Sequence, residues 1–292
     1  MIGQPIVPDQ AEHLHNAFLQ ADKKSWCCFV PFLCAFSLEP NRIVCVNEVG
    51  RSICLTVQRP DGVDLLMPPI PFDAGVFGQL VERCAKTQDG QLPRILWIDA
   101  ADRMHLNDER YELIEKDAEY IYDPSQIAGM DGPLFKDLRK RVRRFERIYQ
   151  PVFRPMTPDD VPDCKELLKH WRHRQGRKHP FLLDWGYTLA ALDQFQWWSK
   201  DILRGWCVEI DGQIDAFGLV GEMQPDLAQF FVAKADPELP DLSYYLRWRI
   251  YDALSAYRWV NDAGDLGLDG MRQFKQKFRP VDRWQVFSAE PK

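Results

Sequence analysis

Two spacings of apolar residues alternate along this chain and predict a mixed α and β fold. In the first half, apolar positions at helical spacing predict helices over Asp9–Lys23 and Ala74–Lys86. Short runs rich in β-branched residues predict strands, and Pro60-Asp61-Gly62 has the residues of a hairpin turn between two of them. The predicted strands of this half are Ile43–Val46, Ser52–Val57, Val63–Met67, Arg94–Ile98 and Ala118–Tyr122, and a further helix is predicted over Asp108–Lys116.

The second half repeats this order of elements. Thr157, Pro158 and Asp159 combine an N-cap residue, a proline at the first helical position and an early acid, which predicts a helix running to about Gln175. Asp211-Gly212 predicts another hairpin turn. The remaining predicted elements are the strands Trp206–Ile210, Ile214–Val220, Leu227–Ala233, Tyr257–Val260 and Trp284–Phe287 and the helices Leu242–Ala256 and Asp269–Lys277. We place a domain boundary near Ile148–Arg154, which divides the chain into residues 1–150 and 151–292.

Composition is that of a globular protein that does not cross a membrane. The 292 residues are enough for two modest domains, with 46% apolar and 27% charged residues. The N-terminus lacks the basic start and apolar run of a secretory signal. The longest apolar stretch, Trp26–Leu38, is interrupted by Pro31 and is too short for a transmembrane helix.

The eight cysteines indicate reduced thiols rather than a disulfide framework or a metal site. Most lie within apolar runs and none forms a C-x-x-C pair, so we expect buried, reduced thiols and a cytoplasmic location. His170 and His173, on one predicted helix, are the nearest approach to metal-ligand spacing, but they lack a second pair. The sequence therefore predicts no metal site.

A strongly basic helix is predicted over Leu134–Arg147. Apolar residues at helical spacing fix one face against the core, and the rest of the segment carries seven cations and only two acids, a local charge of +5 in a chain of net charge −6. The cations are Lys136, Arg139, Lys140, Arg141, Arg143, Arg144 and Arg147. This asymmetry predicts contact with a phosphate backbone or an anionic headgroup, because each neutralised phosphate releases counterions. The alternative is a solvated helix whose cations pair with acids elsewhere in the fold.

The segment after the strand Leu227–Ala233 is a poor receptor for a coenzyme diphosphate. Residues 234–241 contain no glycine, three acids, and two prolines that lack N–H donors. A looser pattern, Gln126-x-x-Gly129-x-x-Gly132, precedes the basic helix, and we interpret it as a turn and helix start. The sequence thus argues against acyl-CoA at this position.

Two motifs carry a resemblance to a known family. The first is Lys234-Ala235-Asp236 at a strand end, followed by the series Asn261, Asp265, Leu266, Gly267, Gly270, Arg272, Lys275 and Pro280. The second is Tyr120–Asp123, Gly129 and Lys140-Arg141, with Val142 where the family usually has Asn. These segments resemble the C-terminal synthase domain of phosphatidylglycerol lysyltransferases. The resemblance implies an α/β (α+β) fold of two tandem GNAT-like units, each a mixed sheet flanked by helices, and transfer of an aminoacyl group from charged tRNA.

The resemblance also implies that the first motif lines the reaction pocket. Attack on an aminoacyl ester creates an oxyanion, which the ammonium of Lys275 is able to stabilise. The carboxylate of Asp236 or Asp265 is able to hold the α-ammonium of the amino acid or to take a proton from the nucleophile. The substrate-binding residues are expected to be Lys234, Asn261, Arg272 and Trp171, with Arg272 against a phosphate or the terminal adenosine. The alternative is a turn and helix whose polar groups cap one another.

These observations favour an aminoacyltransferase with aminoacyl-tRNA as co-substrate and no cofactor. Its acceptor would be the amine or hydroxyl of a small molecule, a peptide or a lipid, the last reached by peripheral membrane contact. One alternative is an acyl-CoA-dependent N-acyltransferase of the same fold. Another is a non-catalytic module that binds RNA or an anionic membrane through Lys136–Arg147.

Overall fold

The computed structural model describes residues 2–106, 109–176 and 184–292, which form two compact units. Unit 1 takes its residues from Met1–Glu119 and Trp284–Lys292, and unit 2 from Tyr120–Arg283. The expected boundary at 150/151 falls inside unit 2, because the basic helix shares a hydrophobic core with the helix Leu242–Ala253 of that unit.

Within these ranges, the structure has helices and strands with the following bounds. The strands are β1 (Gln4–Pro5), β2 (Ile43–Val49), β3 (Ser52–Arg59), β4 (Gly62–Leu65), β5 (Ile95–Asp99), β6 (Tyr111–Glu115), β7 (Glu119–Tyr122), β8 (Val152–Pro155), β9 (Arg204–Ile210), β10 (Gln213–Gln224), β11 (Leu227–Ala235), β12 (Trp259–Asn261), β13 (Asp282–Trp284) and β14 (Val286–Pro291). The α-helices are α1 (Ala11–Gln20), α2 (Val30–Phe36), α3 (Ala74–Lys86), α4 (Ala100–His105), α5 (Pro124–Gly129), α6 (Lys136–Tyr149), α7 (Val161–Trp171), α8 (Asp184–Asp193), α9 (Leu242–Ala253) and α10 (Asp269–Gln276).

Unit 1 is built on a mixed sheet with the strand order β1-β2-β3-β4-β5-β14-β6. The helix α3 starts where predicted, because the carboxylate of Asp73 accepts the N–H of Val76 at 2.9 Å and caps the first turn. One side of α3 is apolar and contributes to the core of this unit through Phe77, Leu80, Val81 and Cys84. The predicted hairpin between β3 and β4 is confirmed.

Unit 2 is built on a second mixed sheet with the order β13-β7-β12-β11-β10-β9-β8. The turn between β9 and β10 has both Asp211 and Gly212 at positive φ, the conformation that suits a two-residue hairpin. The strands β11 and β12 run parallel, but their pairing ends at Gln229↔Asn261. Beyond that point β11 continues to pair with β10 as far as Ala235, and its last six residues are not paired with β12.

Helices α5, α6 and α9 cover one face of the second sheet and enclose the main core of unit 2. Gly218 in β10 allows α9 to approach closely, because a Cβ atom at this position would overlap the side chain of Ile250. Helix α7 packs against β10 and β11 outside this core. It is preceded by a capping turn in which the carboxylate of Asp160 accepts the N–H of Thr157 at 2.7 Å.

One predicted element is wrong. The segment predicted as a helix over Asp108–Lys116 forms the strand β6 over its described part, and β6 pairs antiparallel with β14. The last predicted strand, Trp284–Phe287, proves to be two strands, β13 and β14, in different sheets. The other predicted helices and strands are confirmed within a few residues. No helix among the described residues is long and apolar enough to cross a membrane.

All eight cysteines are free and buried. Their sulfur atoms lie in the cores or against sheet residues, and burial raises the pKa of several of these thiols, to about 12 at Cys34. The expectation that the thiols are buried is confirmed, and they pack as small apolar side chains.

Candidate active site in unit 2

The loop that follows β12 has an unusual backbone. Ala263, Leu266 and Gly267 all have positive φ, between 52° and 68°. A residue other than glycine rarely adopts this conformation, and it persists only where surrounding contacts hold it. We refer to residues 262–268 as the motif loop, since they contain the centre of the Asn261–Pro280 series.

The side chain of Lys275 binds the backbone of the motif loop. This lysine lies on α10 and is only 4% exposed, and its ammonium donates to the backbone carbonyl oxygens of Asp262 and Ala263, the second at 3.2 Å. The same ammonium lies 3.5 Å from Oδ1 of Asp262. Burial lowers the pKa of Lys275 to about 8, although the carboxylate of Asp262 opposes this change. The ammonium of Lys275 therefore contacts the motif loop in this structure. Its contact with an oxyanion stays a prediction.

A buried ion pair lies beside this lysine. The guanidinium of Arg247, on α9, pairs with the carboxylate of Asp262, and the hydroxyl of Tyr251 lies 3.3 Å from the same carboxylate. Tyr122 donates to the carbonyl oxygen of Lys275 at 2.9 Å. Sequence reasoning assigns no role to Arg247 or Asp262. Asp262 adjoins Asn261 of the motif and was open to discovery there, whereas Arg247 lies in mid-helix with no local signal.

Asp265 braces the motif loop against α10. Its Oδ2 accepts from the hydroxyl of Tyr120 at 2.7 Å and from Nε of Arg272 at 3.0 Å, and its Oδ1 accepts the N–H of Gly267 at 3.1 Å. Burial opposes ionisation of Asp265, but these three bonds outweigh it and hold the pKa of the carboxyl below its usual value. Asn261 is fully buried and accepts the N–H of Ala263 at 2.9 Å. The residues predicted from the motif thus form one network.

A second group of predicted residues meets at the end of β11. The ammonium of Lys234, which is 5% exposed, lies 3.9 Å from the ring centroid of Trp171 at the end of α7. Oδ1 of Asp236 lies 3.5 Å from Nε2 of His170 and accepts the N–H of Glu238 at 2.8 Å. The structure therefore brings Lys234, Asp236 and Trp171 together, and it adds His170 as a neighbour of Asp236.

The two groups occupy different stretches of the sheet. Asn261 is in register with Gln229, whereas Lys234 lies five residues farther along β11, about 16 Å at the rise of a strand. Gln229 is 1% exposed, and its Oε1 has no hydrogen-bond partner among the described residues. Buried polar atoms are normally paired, and this oxygen lies next to the point where the pairing of β11 with β12 ends.

The basic helix α6 presents a stripe of cations to solvent. Two of its seven predicted cations are engaged inside the unit: Arg139 donates to the carbonyl oxygens of Met130 and Gly132, and Arg141 pairs with Asp137 and Asp241. The other five are exposed and form no ion pair among the described residues, and their spacing places them on one helical face. We call these five the cationic stripe: Lys136, Lys140, Arg143, Arg144 and Arg147.

The residue at the N-terminus of α9 is an acid. Asp241 is its N-cap residue, and its carboxylate pairs with Arg141 at 2.8 Å. Pro237 and Pro240, in the segment that leads to this helix, provide no N–H donors. A diphosphate seeking a helix N-terminus would meet a negative charge here.

Comparisons with known proteins identify a family and a fold. A family model described as "Phosphatidylglycerol lysyltransferase, C-terminal" matches residues 31–290. A search of curated proteins found no match.

Three solved structures share the fold over nearly the whole chain. A conserved protein of unknown function from Bacteroides thetaiotaomicron has 19% identity and a TM-score of 0.80, covering 100% of both chains. L-PGS from Bacillus licheniformis has 16% identity and a TM-score of 0.71, covering 100% of this chain and 94% of its own. A tandem GNAT protein from the clavulanic acid biosynthesis pathway has 12% identity and a TM-score of 0.53, covering 98% and 97%. The expected fold, a tandem GNAT-like arrangement of mixed sheets flanked by helices, is confirmed.

Proposed function

We propose, from the premise that this chain belongs to the phosphatidylglycerol lysyltransferase C-terminal family, that it transfers an aminoacyl group from aminoacyl-tRNA to an acceptor amine or hydroxyl. Membership makes it part of an aminoacyltransferase family, and the donor and acceptor are the proposal. The observation that carries the choice of donor is the cationic stripe on α6, an exposed row of five charges in an otherwise acidic protein.

The stripe has the dimensions of a contact with a nucleic-acid backbone. From Lys136 to Arg147 it extends about 16 Å at the rise of an α-helix, with its five cations on the face opposite the buried residues Leu138, Val142 and Phe145. Five neutralised phosphates would make the logarithm of the binding constant fall with the logarithm of the salt concentration with a slope of about −4.

The reaction needs no covalent enzyme intermediate. The acceptor nitrogen or oxygen attacks the ester carbonyl carbon, a new C–N or C–O bond forms, and the ester bond to the terminal ribose breaks. A base takes the proton of the nucleophile, and the ribose oxygen leaves with a proton.

Asp236 is best placed to contact the substrate directly among the three predicted catalytic residues. Its side chain is 19% exposed, whereas Asp265 and Lys275 are committed to the motif loop. We assign Asp236 to the acceptor proton or the α-ammonium of the amino acid, with Lys234 and Trp171 beside it. Asn261 and Arg272 would keep the motif loop in shape around the substrate, and the direct roles of Asp265 and Lys275 stay predictions.

The acid at the N-terminus of α9 disfavours the acyl-CoA alternative. Asp241 places a carboxylate where a coenzyme diphosphate would bind, and Pro237 and Pro240 remove two N–H donors from the segment that leads to the helix. A calorimetric titration with acetyl-CoA tests this directly, since saturable binding at micromolar concentration would favour the alternative.

The decisive assay follows radiolabelled amino acid from aminoacyl-tRNA to a panel of amines, hydroxyl compounds and phosphatidylglycerol vesicles. Charge reversal of the stripe, Arg143→Glu with Arg144→Glu, should abolish salt-sensitive tRNA binding and raise the KM for the donor. The matched control is Arg83→Glu with Lys86→Glu, an equal charge change on the exposed face of α3.

Three results separate the hypotheses. Transfer that the stripe variant loses and the control keeps supports the proposal. Tight, salt-sensitive RNA or vesicle binding without turnover of any aminoacyl ester would instead support a non-catalytic module. Equal label release with and without the protein on every acceptor, together with no binding, refutes both.

A further inference from the structure

The geometry points to a divalent metal site at the end of β11, formed by His170, Asp236 and Glu238. We propose that these side chains bind one transition-metal ion of the Zn²⁺ class. The proposal departs from the expectation drawn from the sequence, where His170 had no partner ligands. Its partners come from the segment after β11, which the fold places against the end of α7.

The ligand atoms are close enough to share an ion. One donor atom from each of the three side chains lies within 4.8 Å of the other two. Nε2 of His170 and Oδ1 of Asp236 are 3.5 Å apart. Two bonds of about 2.1 Å that span this distance meet at an angle of about 113°, close to tetrahedral. At the same angle the donor of Glu238 also has to lie about 3.5 Å from the other two, so this side chain has to move by up to about 1.3 Å to complete the set.

The imidazole nitrogen is left without a partner by the protein itself. The imidazole of His170 is 39% exposed as a whole, but its Nε2 atom is shielded from solvent and has no hydrogen-bond partner among the described residues. Its 3.5 Å separation from Asp236 is too long for a good N–H···O bond. A buried polar atom in this position costs free energy unless it is paired, and a metal ion would pair it.

The surrounding charge favours a cation. Asp215 is hydrogen-bonded through its carbonyl oxygen to the N–H of Asp236 at 2.8 Å. The two proposed carboxylate ligands, Asp236 and Glu238, would together place two negative charges beside the ion. Two cations of the described residues contact this segment: Lys234, whose ammonium lies against Trp171, and Arg174, which pairs with Glu238.

Among the described residues, Arg174 is the only cation that forms an ion pair with one of the three proposed ligands, so the metal ion has to displace it from Glu238. The side chains of Arg174 and Glu238 are 55% and 53% exposed, and such solvated pairs contribute little stability. One imidazole and two carboxylates are a donor set for Zn²⁺, Co²⁺ or Mn²⁺ and a poor one for Ca²⁺. Three protein ligands leave at least one coordination position for water or a substrate oxygen, and Oδ2 of Asp236, which the ion does not need, keeps the role toward the substrate proposed above.

Metal binding by the chelator-treated full chain tests the inference without any activity assay. Equilibrium dialysis against Zn²⁺ with elemental analysis should give one ion per chain, and Co²⁺ should give the visible spectrum of a four-coordinate site. His170→Ala and Glu238→Gln should each weaken Zn²⁺ binding at least tenfold. The matched control His173→Ala removes an exposed imidazole of the adjoining π-helical turn, Arg172–Gly176, and should bind as the wild type does.

Several outcomes would overturn the inference. These are no stoichiometric ion on the wild type, equal loss in His170→Ala and His173→Ala, or a sulfur-to-cobalt charge-transfer band that shows thiol ligation. Because Glu238 lies on an exposed segment, its variant keeps the test valid if His170→Ala does not fold. Failure of the aminoacyl-transfer assay would leave the metal-binding result unaffected.

Discussion

Replacing Lys275 by methionine should change how the stability of the protein depends on pH. In the folded protein, burial lowers the pKa of this lysine from 10.5 to about 8. Between these two values the unfolded chain carries the proton and the folded chain does not. The unfolded state therefore binds more protons, and the stability contributed by this residue rises as pH increases through the window and is lost as pH falls back to about 8.

The expected magnitude follows from the two pKa values. A difference between 10.5 and about 8 corresponds to about 3 kcal/mol in the free energy of unfolding. At pH 7 the ammonium is charged in both states and the folded protein bears the full cost of burying it. At pH 10.5 and above, most of that cost has disappeared.

Urea unfolding followed by tryptophan fluorescence measures this effect. The free energy of unfolding of the wild type relative to Lys275→Met should rise by about 3 kcal/mol between pH 7 and 10.5. The thiols and tyrosines titrate in both proteins and cancel in the difference. Lys277→Met, which removes a partly exposed ammonium next to the same helix, is the control and should show a constant difference. If the difference in the free energy of unfolding between the wild type and Lys275→Met does not change with pH, the argument that the Lys275 ammonium is buried is refuted.

Three further changes are predicted. Gly218→Ala should destabilise the protein by about 1–3 kcal/mol, because the added Cβ overlaps Ile250, and thermal unfolding checks this. Gly78→Ala, on the open face of α3, should instead stabilise it by about 0.5–1 kcal/mol in the same measurement. Arg154 lowers the pKa of Asp160 to about 2, so stability is lost as pH falls from 3.8 toward 2, and Asp160→Asn should flatten acid unfolding curves over that range.

Elements with a local signal were predictable from the sequence. Helix α3 has the predicted bounds, because its cap and its apolar side are both encoded within a few residues. Strand β6 was missed, because its identity depends on pairing with β14, which lies far away in the chain. Its residues 112–115 are exposed, so they lack the alternation of a half-buried strand, and their spacing was open to interpretation as a helix.

The sequence motif groups residues that contact one another in the structure, but it does not predict their bonding. The motif identified Asn261, Asp265, Arg272 and Lys275, which the structure brings into one network. The direction of the Lys275 ammonium was beyond prediction, because its acceptors are backbone carbonyls of a loop whose positive φ values have no sequence signal at Ala263. In the same way, the partners of His170 depend on how α7 meets the end of β11.

The position of β14 has a consequence for biosynthesis. This strand lies between β5 and β6 in the sheet of unit 1, yet it follows all of unit 2 along the chain. During translation, the first unit lacks β14 until the second unit has left the ribosome. For that interval β5 and β6 each present an open backbone edge, on which a neighbouring nascent chain is able to pair, so rapid capture by a chaperone should decide the yield of soluble protein.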